Sequence, residues 1–239
     1  MCSSDLIVWA RHFLAGHWQL LALSALVIVF FRSAPVFPLR LLVVLFHELS
    51  HGAAALLTGG EILSIEVNAR EGGLIWTRGG WRFAISSAGY LGSLAIGVVL
   101  LLAAVRTRAD RLVLALCGAV ILGAAVFWVR DWFSLAFCLG AGGAMLACAR
   151  FAPREVSDLA LRVIGLTSMA YVPWDIWSDT IARSTGMSDA AAIAARSFGT
   201  EGFWGGLWLV ISVAVIGLAL RYGLGARSNV TLSRNDTSR

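Results

Sequence analysis

The sequence predicts an all-α polytopic membrane protein with about six to seven transmembrane helices and one short β-hairpin. Apolar residues make up 59% of the 239 residues, charged residues only 14%, and the mean hydropathy is +0.80. Most of the chain consists of apolar runs close to the roughly 20 residues that an α-helix needs to cross a bilayer. One stretch instead alternates between apolar and polar residues, as a strand does. We therefore expect a multi-pass protein of the lipid bilayer. A bacterial cell membrane is the expected location, although composition does not indicate the source.

Short polar breaks divide the apolar part of the chain into seven candidate spans, at residues 13–31, 41–58, 83–105, 112–129, 132–149, 161–181 and 203–220. We predict that they form one integral-membrane domain over residues 1–225, followed by a disordered polar tail at 226–239. The net charge of +5 includes 19 arginines, which are scattered between the spans. This distribution suits membrane orientation and excludes a nucleic-acid-binding patch, so no nucleic-acid partner is expected.

The second span carries the motif His-Glu-Leu-Ser-His at residues 47–51. On a helix, His47 and His51 lie one turn apart on one face, where both can bind a tetrahedral zinc ion. Glu48 follows the first ligand, where it can take a proton from a water that the metal acidifies. Given four His and six Glu in the chain, the motif would arise by chance with a probability of roughly 0.002. Because its flanks are apolar, buried histidines there need a partner such as Zn²⁺.

A β-hairpin is predicted directly after this helix. Residues 63–70 alternate strictly, with Leu63, Ile65 and Val67 on the apolar face. Residues 71–73 predict a turn, and residues 74–78 return as the second strand. Two interpretations remain open: the hairpin connects two spans, or its edge pairs with an unwound substrate through free backbone groups.

Two histidines do not complete a catalytic zinc site, which usually has three protein ligands. No His follows His51, so the third ligand must be a carboxylate unless His12 or His17 reaches the metal. Asp175 is the expected ligand, because an acid at membrane depth costs about 2.5 to 3.5 kcal/mol and therefore faces a cavity, a partner or a metal. Asp179, one turn later, is the alternative ligand, or it orients a histidine or holds water. Both acids could instead be ordinary helix-end residues near the headgroups.

The third span carries a face of small residues. It contains no charged residue between positions 83 and 105, and Gly89, Ser93 and Gly97 recur at four-residue spacing. Such a face lets another helix approach closely in a membrane. We expect that neighbour to be the helix with the histidine motif.

The chain resembles the site-2 protease family of intramembrane zinc peptidases, and within it the small branch without a PDZ domain. The similarity covers about residues 41–220. It rests on the histidine motif between Phe46 and Gly52, residues 58–60, the hairpin, residues 88–92 and a distant intramembrane aspartate.

The resemblance implies roles for individual residues. His47 and His51 would bind zinc, Glu48 would act as general base, and Asp175 would supply the ligand from a later helix. It also implies that a peptide bond is cleaved within a substrate's transmembrane segment. Many family members have a glycine directly after the aspartate, but Ile176 stands there in this chain, which leaves Asp179 open as the ligand.

The sequence therefore predicts an integral-membrane zinc metalloendopeptidase that acts on membrane proteins with a transmembrane segment. The alternative is a non-catalytic membrane transporter or metal-binding scaffold that retains the motif. Glu48 speaks against this alternative, because metal binding alone needs no carboxylate between the ligands. A peptidase for soluble substrates is a further alternative, and it would need the motif near an aqueous border.

Changing Glu48 to Ala should abolish hydrolysis while leaving the fold and the metal in place, because the change removes only the group that moves the proton. Cleavage of a transmembrane reporter peptide by purified wild type and variant measures this. Cleavage retained by Glu48→Ala would contradict the assigned role.

Overall fold

The computed structural model describes residues 3–183, 186–224 and 228–229. The described part of the chain contains eight α-helices and two β-strands, in the order α1 Ser3–Val29, α2 Phe37–Leu57, β1 Glu61–Val67, β2 Gly73–Arg78, α3 Arg82–Arg106, α4 Asp110–Trp128, α5 Trp132–Phe151, α6 Arg154–Ile176, α7 Asp189–Ala194 and α8 Glu201–Gly223. A 3₁₀ turn at Ala34–Val36 precedes α2, and a π-helix at Trp177–Ala182 continues α6. The predicted all-α membrane fold with one short hairpin is confirmed.

Six of the described helices are long and apolar enough to cross a membrane, namely α1, α2, α3, α4, α5 and α8. The predicted sixth span lies on α6, which is not among them. Many of its polar residues are buried inside the bundle, including Asp158, Arg162 and Thr167. Helix α6 is less apolar than the others because it faces protein on most sides.

Helices α3 and α6 pack closely through small residues. A Cβ atom at Gly165 of α6 would lie 2.7 Å from the carbonyl oxygen of Gly97, and the Ser168 hydroxyl donates a hydrogen bond to the carbonyl oxygen of Ser93 at 2.8 Å. The small-residue face of α3 is therefore shared between two neighbours. Gly89 faces the metal-motif helix α2, as expected, whereas Gly97 and the Ser93 backbone face α6.

The hairpin differs from the predicted one in register. A β-bulge between Ile62 and Ser64 shifts the alternation, so that Ile62 is buried and Leu63 is 47% exposed. The prediction that Leu63 shares the apolar face with Ile65 and Val67 was wrong. The bulge adds one residue to β1, so that the residues before Ser64 point to the opposite faces from those that strict alternation predicts. Strand β1 also forms an isolated parallel β-bridge between Ile65 and Val129, the residue after α4.

A second contact fixes the end of β1 to α5. The Ser134 hydroxyl accepts a hydrogen bond from the Val67 N–H at 2.8 Å and donates one to the Val67 carbonyl at 3.0 Å. Strand β2 pairs with β1 on one side only, and no strand of the described chain covers its other edge. The free edge of the hairpin is thus β2.

The predicted tail at 226–239 lies largely outside the described residues. Ser228 and Asn229 are described, and both are bonded to the N-terminal helix. The Ser228 N–H donates to the carbonyl of Gly16 at 3.1 Å, and the Asn229 amide donates to the carbonyl of Ala15 at 2.8 Å. These contacts connect Ser228 and Asn229 to helix α1. Arg162 of α6 also donates a hydrogen bond to the Ser228 carbonyl, so this contact lies on the side of the bundle where α3 ends and α6 begins.

The change Gly165→Ala should destabilise the fold by about 1 to 3 kcal/mol, because its methyl group would press on the backbone of α3 at Gly97 and Leu101. Thermal unfolding in detergent micelles measures the effect. Gly143→Ala on α5 is the matched control, since no atom lies within 4 Å of its added Cβ. A control that is destabilised as strongly as Gly165→Ala would refute the packing explanation.

Candidate metal centre

The histidine motif lies on α2, as the sequence predicts. His47 and His51 occupy successive turns of this helix, and their rings meet edge to face with centroids 4.6 Å apart. The helix ends at Leu57, and the next residues include Gly59 with a φ of +81°. Glycine adopts this left-handed conformation without a steric cost and so ends the helix where the chain turns into the hairpin.

Three side chains converge at this face of α2. The Nε2 atoms of His47 and His51 are 2.9 Å apart, and the Oδ2 atom of Asp189 lies 3.0 Å from each of them. All three are mostly buried, with side chains 15%, 6% and 20% exposed. Within the described chain they form the one group of three or more His, Cys, Asp or Glu residues with the spacing of a metal site.

The arrangement fits a zinc ion. Tetrahedral ligands at zinc-to-nitrogen and zinc-to-oxygen distances of 2.0 to 2.2 Å lie about 3.3 to 3.6 Å from each other. The observed triangle is a few tenths of an ångström smaller, so a small outward movement of the rings would admit the ion. Two imidazoles and a carboxylate are also a donor set that catalytic zinc uses, with the fourth position left open.

Neighbouring groups orient both histidines. The Nδ1–H of His51 donates a hydrogen bond to the carbonyl of Ile85 at 2.6 Å, which leaves the lone pair of its Nε2 free for a metal. The ring of Tyr90 packs edge to face on His47, with centroids 4.6 Å apart. Both Ile85 and Tyr90 belong to α3, so this helix fixes the rings that α2 carries.

Gly89 permits this close packing. A Cβ atom there would lie 2.5 Å from Nε2 of His51 and would also press on Nε2 of His47. Any larger residue would occupy the space of the imidazoles. Within residues 88–92, Gly89 therefore lets the backbone of α3 approach both histidines, and Tyr90 supplies the ring that packs on His47.

Asp189 is a functional candidate that the sequence analysis did not select. It begins the six-residue helix α7, where the N-cap residue Ser188 accepts a hydrogen bond from the Ala191 N–H at 3.2 Å. Ala190 and Ile193 are buried, and they anchor α7 against the bundle. Burial disfavours the charged form of Asp189, but the charges of His51 and His47 and their hydrogen bonds outweigh it, so its pKa lies well below the ordinary value.

Glu48 lies beside the histidines and is 6% exposed. Its carboxylate packs against Gly73, the first residue of β2, and a Cβ atom at that position would collide with it. The general-base candidate is thus enclosed between α2 and the start of the free strand. It lines the same cavity as His47 and His51.

The acids that the sequence analysis selected lie close by, outside the group of three. Asp175 and Asp179 line the cavity that contains His47 and His51. Asp179 is 2.7 Å from Nη2 of Arg183 and accepts a hydrogen bond from the Tyr90 hydroxyl at 3.4 Å. Tyr90 packs on His47, so Asp179 is linked to one histidine through this ring. The assignment of Asp175 as third ligand stays a prediction.

The N-terminal histidines take no part in the described site. His12 is exposed, and Nδ1 of the buried His17 is 2.8 Å from the Ser228 hydroxyl. The carbonyl of Ser228 also accepts a hydrogen bond from Arg162, which lies in the first half of α6. His17 therefore lies near the end of the bundle opposite Asp175.

A polar route leads to the site. The cavity at the histidines has a volume of about 380 Å³, and a second cavity of about 740 Å³ shares four lining residues with it. The shared residues are Glu71, Gly72, Asp175 and Asp179. The larger cavity is also lined by Arg32, Arg40, Arg70 and Arg183. Polar-lined cavities through which water can reach the site therefore adjoin it.

The fold and the site together define a multi-pass membrane protein with the histidine motif of a metallopeptidase in one of its spans. A family model described as Peptidase M50B-like matches residues 20–219. The chain belongs to this family, which is of the site-2 protease type, and the resemblance inferred from the sequence is confirmed. Comparison with curated proteins and with solved structures finds no match.

The change Gly89→Ala should strip the protein of metal, because its methyl group would take the space of both imidazoles. Metal analysis of the purified variant by inductively coupled plasma mass spectrometry measures this. Gly206→Ala on α8 is the control, since no atom lies within 4 Å of its added Cβ. Full zinc occupancy in Gly89→Ala would contradict the proposed position of the metal.

Proposed function

We propose that this protein is an intramembrane zinc metalloendopeptidase that hydrolyses peptide bonds of membrane-embedded substrates. The observation that supports it most strongly is the convergence of His47, His51 and Asp189 beside Glu48 within the membrane domain. When bound, zinc supplies Lewis-acid chemistry that acidifies water and stabilises negative charge on a carbonyl oxygen. The protein supplies the remaining groups.

Glu48 is the proton carrier of this reaction. Its carboxylate takes the proton of the attacking water and gives a proton to the leaving amine as the peptide bond breaks. Gly73 and the body of α2 enclose it and leave it 6% exposed. The Nδ1–H of His51 is bonded to the Ile85 carbonyl and its Nε2 would be occupied by the metal, so His51 would have no free base to compete for this proton.

The substrate in this proposal is the transmembrane segment of another membrane protein. Such a segment enters as a helix and must unwind locally before a peptide bond becomes accessible. The free edge of β2 offers backbone groups to an extended chain. Four of its residues line the cavity at the histidines, namely Gly73, Leu74, Ile75 and Thr77. This supports the second of the two hairpin interpretations.

Asp189 is the proposed third ligand, because it alone among the nearby acids approaches both histidines to 3.0 Å. Its carboxylate would bind the metal in the anionic form. Asp175 remains the alternative ligand from the sequence. Asp179 would act at a distance, by holding Tyr90 against His47 or by retaining water.

Zinc content should fall to background in Asp189→Ala and should stay near the wild-type level in Asp179→Ala, because only the first change removes a ligand atom. Cleavage of a transmembrane reporter peptide should be lost together with the zinc. Asp175→Ala, analysed beside them, decides between the two candidate ligands. Loss of zinc in Asp175→Ala with zinc retained in Asp189→Ala would assign the third ligand to Asp175.

The same measurement separates the peptidase from its alternative. A transporter or metal-binding scaffold would hold zinc in the wild type and cleave no reporter. Zinc-loaded wild type without cleavage of any membrane-embedded peptide would overturn the proposed function. A wild type that binds no zinc would overturn the metal site itself.

A further inference from the structure

One ion pair joins the tip of the hairpin to the helix that carries the metal motif. Arg40 lies on α2 two turns before His47, on the same face of the helix. Its guanidinium contacts the Glu71 carboxylate with both arms, at 2.6 Å from Nη2 to Oε1 and 2.9 Å from Nε to Oε2. The two side chains are 10% and 26% exposed. This is a two-point contact with the directional specificity that an arginine fork provides.

Arg40 is itself fixed from a second side. Its Nη1 donates hydrogen bonds to the backbone carbonyls of Phe31 and Ser33, in the segment that precedes α2. The guanidinium therefore does not move freely toward the hairpin. It is a rigid group that the hairpin tip must meet at a defined place.

Glu71 occupies a strained position at that tip. Its φ is +62°, and it is the one described residue other than glycine with a positive φ. Such a conformation persists when surrounding contacts impose it, and it often occurs at functional sites. Hydrogen bonds to Asn68 close the turn around Glu71, and the pair with Arg40 is the one bond of the Glu71 carboxylate to a described residue.

The hairpin meets α2 at three places in a row. Near its open end, a Cβ at Gly52 would lie 2.6 Å from Ile62. At its tip, Glu71 meets Arg40. Between them, Gly73 packs on the Glu48 carboxylate. Glu71, which contacts Arg40, is two residues before Gly73. A shift of the hairpin tip would therefore also shift the strand β2 that covers Glu48.

We propose that Arg40 and Glu71 are positioning residues that set the place of the β2 edge relative to Glu48. The inference rests on the proposed function, because it assigns to the ion pair the alignment of the substrate strand with the catalytic carboxylate. Alignment of reacting groups affects the chemical step directly, and a displacement of about 1 Å can cost about 100-fold in rate.

The test is the change Glu71→Ala, which frees the tip while Arg40 keeps its bonds to Phe31 and Ser33. The kcat for a transmembrane reporter peptide should fall by about 10- to 100-fold, with zinc content and melting temperature near those of wild type. The double variant Arg40→Ala/Glu71→Ala should be no slower than Arg40→Ala alone, because the two residues act through one contact.

Glu61→Ala is the matched control. Glu61 pairs with Arg78 at the other end of the same hairpin, where the two side chains are 51% and 72% exposed. An exposed pair of this kind contributes little, so this variant should keep the wild-type kcat. Glu71→Ala with an unchanged kcat, or with a loss that follows melting temperature alone, would overturn the proposal.

A distance measurement tests the inference without catalysis. Spin labels at Leu57 and Leu74, in a chain whose four cysteines are replaced by alanine, report the position of the tip relative to α2 by pulsed electron resonance. Glu71→Ala should broaden the distance distribution, and Glu61→Ala should not. An unbroadened distribution in Glu71→Ala would refute the positioning role. A wild type that cleaves nothing would instead count against the proposed function.

Discussion

The close approach of other backbones to the two imidazole rings of α2 is the constraint on which the rest of the site depends. Gly89 brings α3 into contact with both rings, and Gly73 brings β2 into contact with the carboxylate between them. The short helix α7 then completes the group with Asp189. Each approach requires a residue without a side chain or with a short one. The segments that contact His47, Glu48 and His51 of α2 are therefore restricted to small residues at the points of contact, because larger side chains would not fit there.

Polar groups inside this membrane domain are satisfied in two separate regions. Around the candidate metal site, His51, Tyr90 and Asp179 form hydrogen bonds with groups on other segments. Other polar side chains there line the larger cavity. At the other end of the bundle, the buried pair of Asp158 and Arg162 is completed by the carbonyl of Ser228. Unpaired polar groups are costly in an apolar environment, so both regions are extensively bonded. Two adjoining cavities lie on the side of the histidines, where the proposed reaction needs water, and a third cavity of about 480 Å³ lies beside Asp158 and Arg162.

Much of this architecture could be predicted from the sequence, because its signals are local. Apolar runs of sufficient length predict the spans, and the four-residue spacing of His47 and His51 predicts their common face. The register of β1 could not be predicted. The bulge between Ile62 and Ser64 places Ile62 against Gly52 of α2, and strict alternation in the sequence gives no sign of this tertiary contact. The small residues of α3 were recognised, although their division between α2 and α6 depends on the three-dimensional packing.

The approach of Asp189 to the histidines could not be predicted for a related reason. Its local sequence is that of an ordinary capped helix start after a polar loop, and the preference for Asp175 rests on its apolar surroundings and on the family resemblance. Only the docking of Ala190 and Ile193 brings this acid to α2. Acids in polar segments next to a span are therefore as relevant to an intramembrane metal site as acids within the span.

X-ray absorption spectroscopy of the zinc-loaded wild type tests the central claim most directly, because it reports the ligand atoms themselves. The account predicts four-coordinate zinc with two imidazole nitrogens and oxygen ligands, all at about 2.0 to 2.2 Å. A spectrum with one or three imidazoles, or with sulfur at about 2.3 Å, would contradict a centre built from His47, His51 and one aspartate.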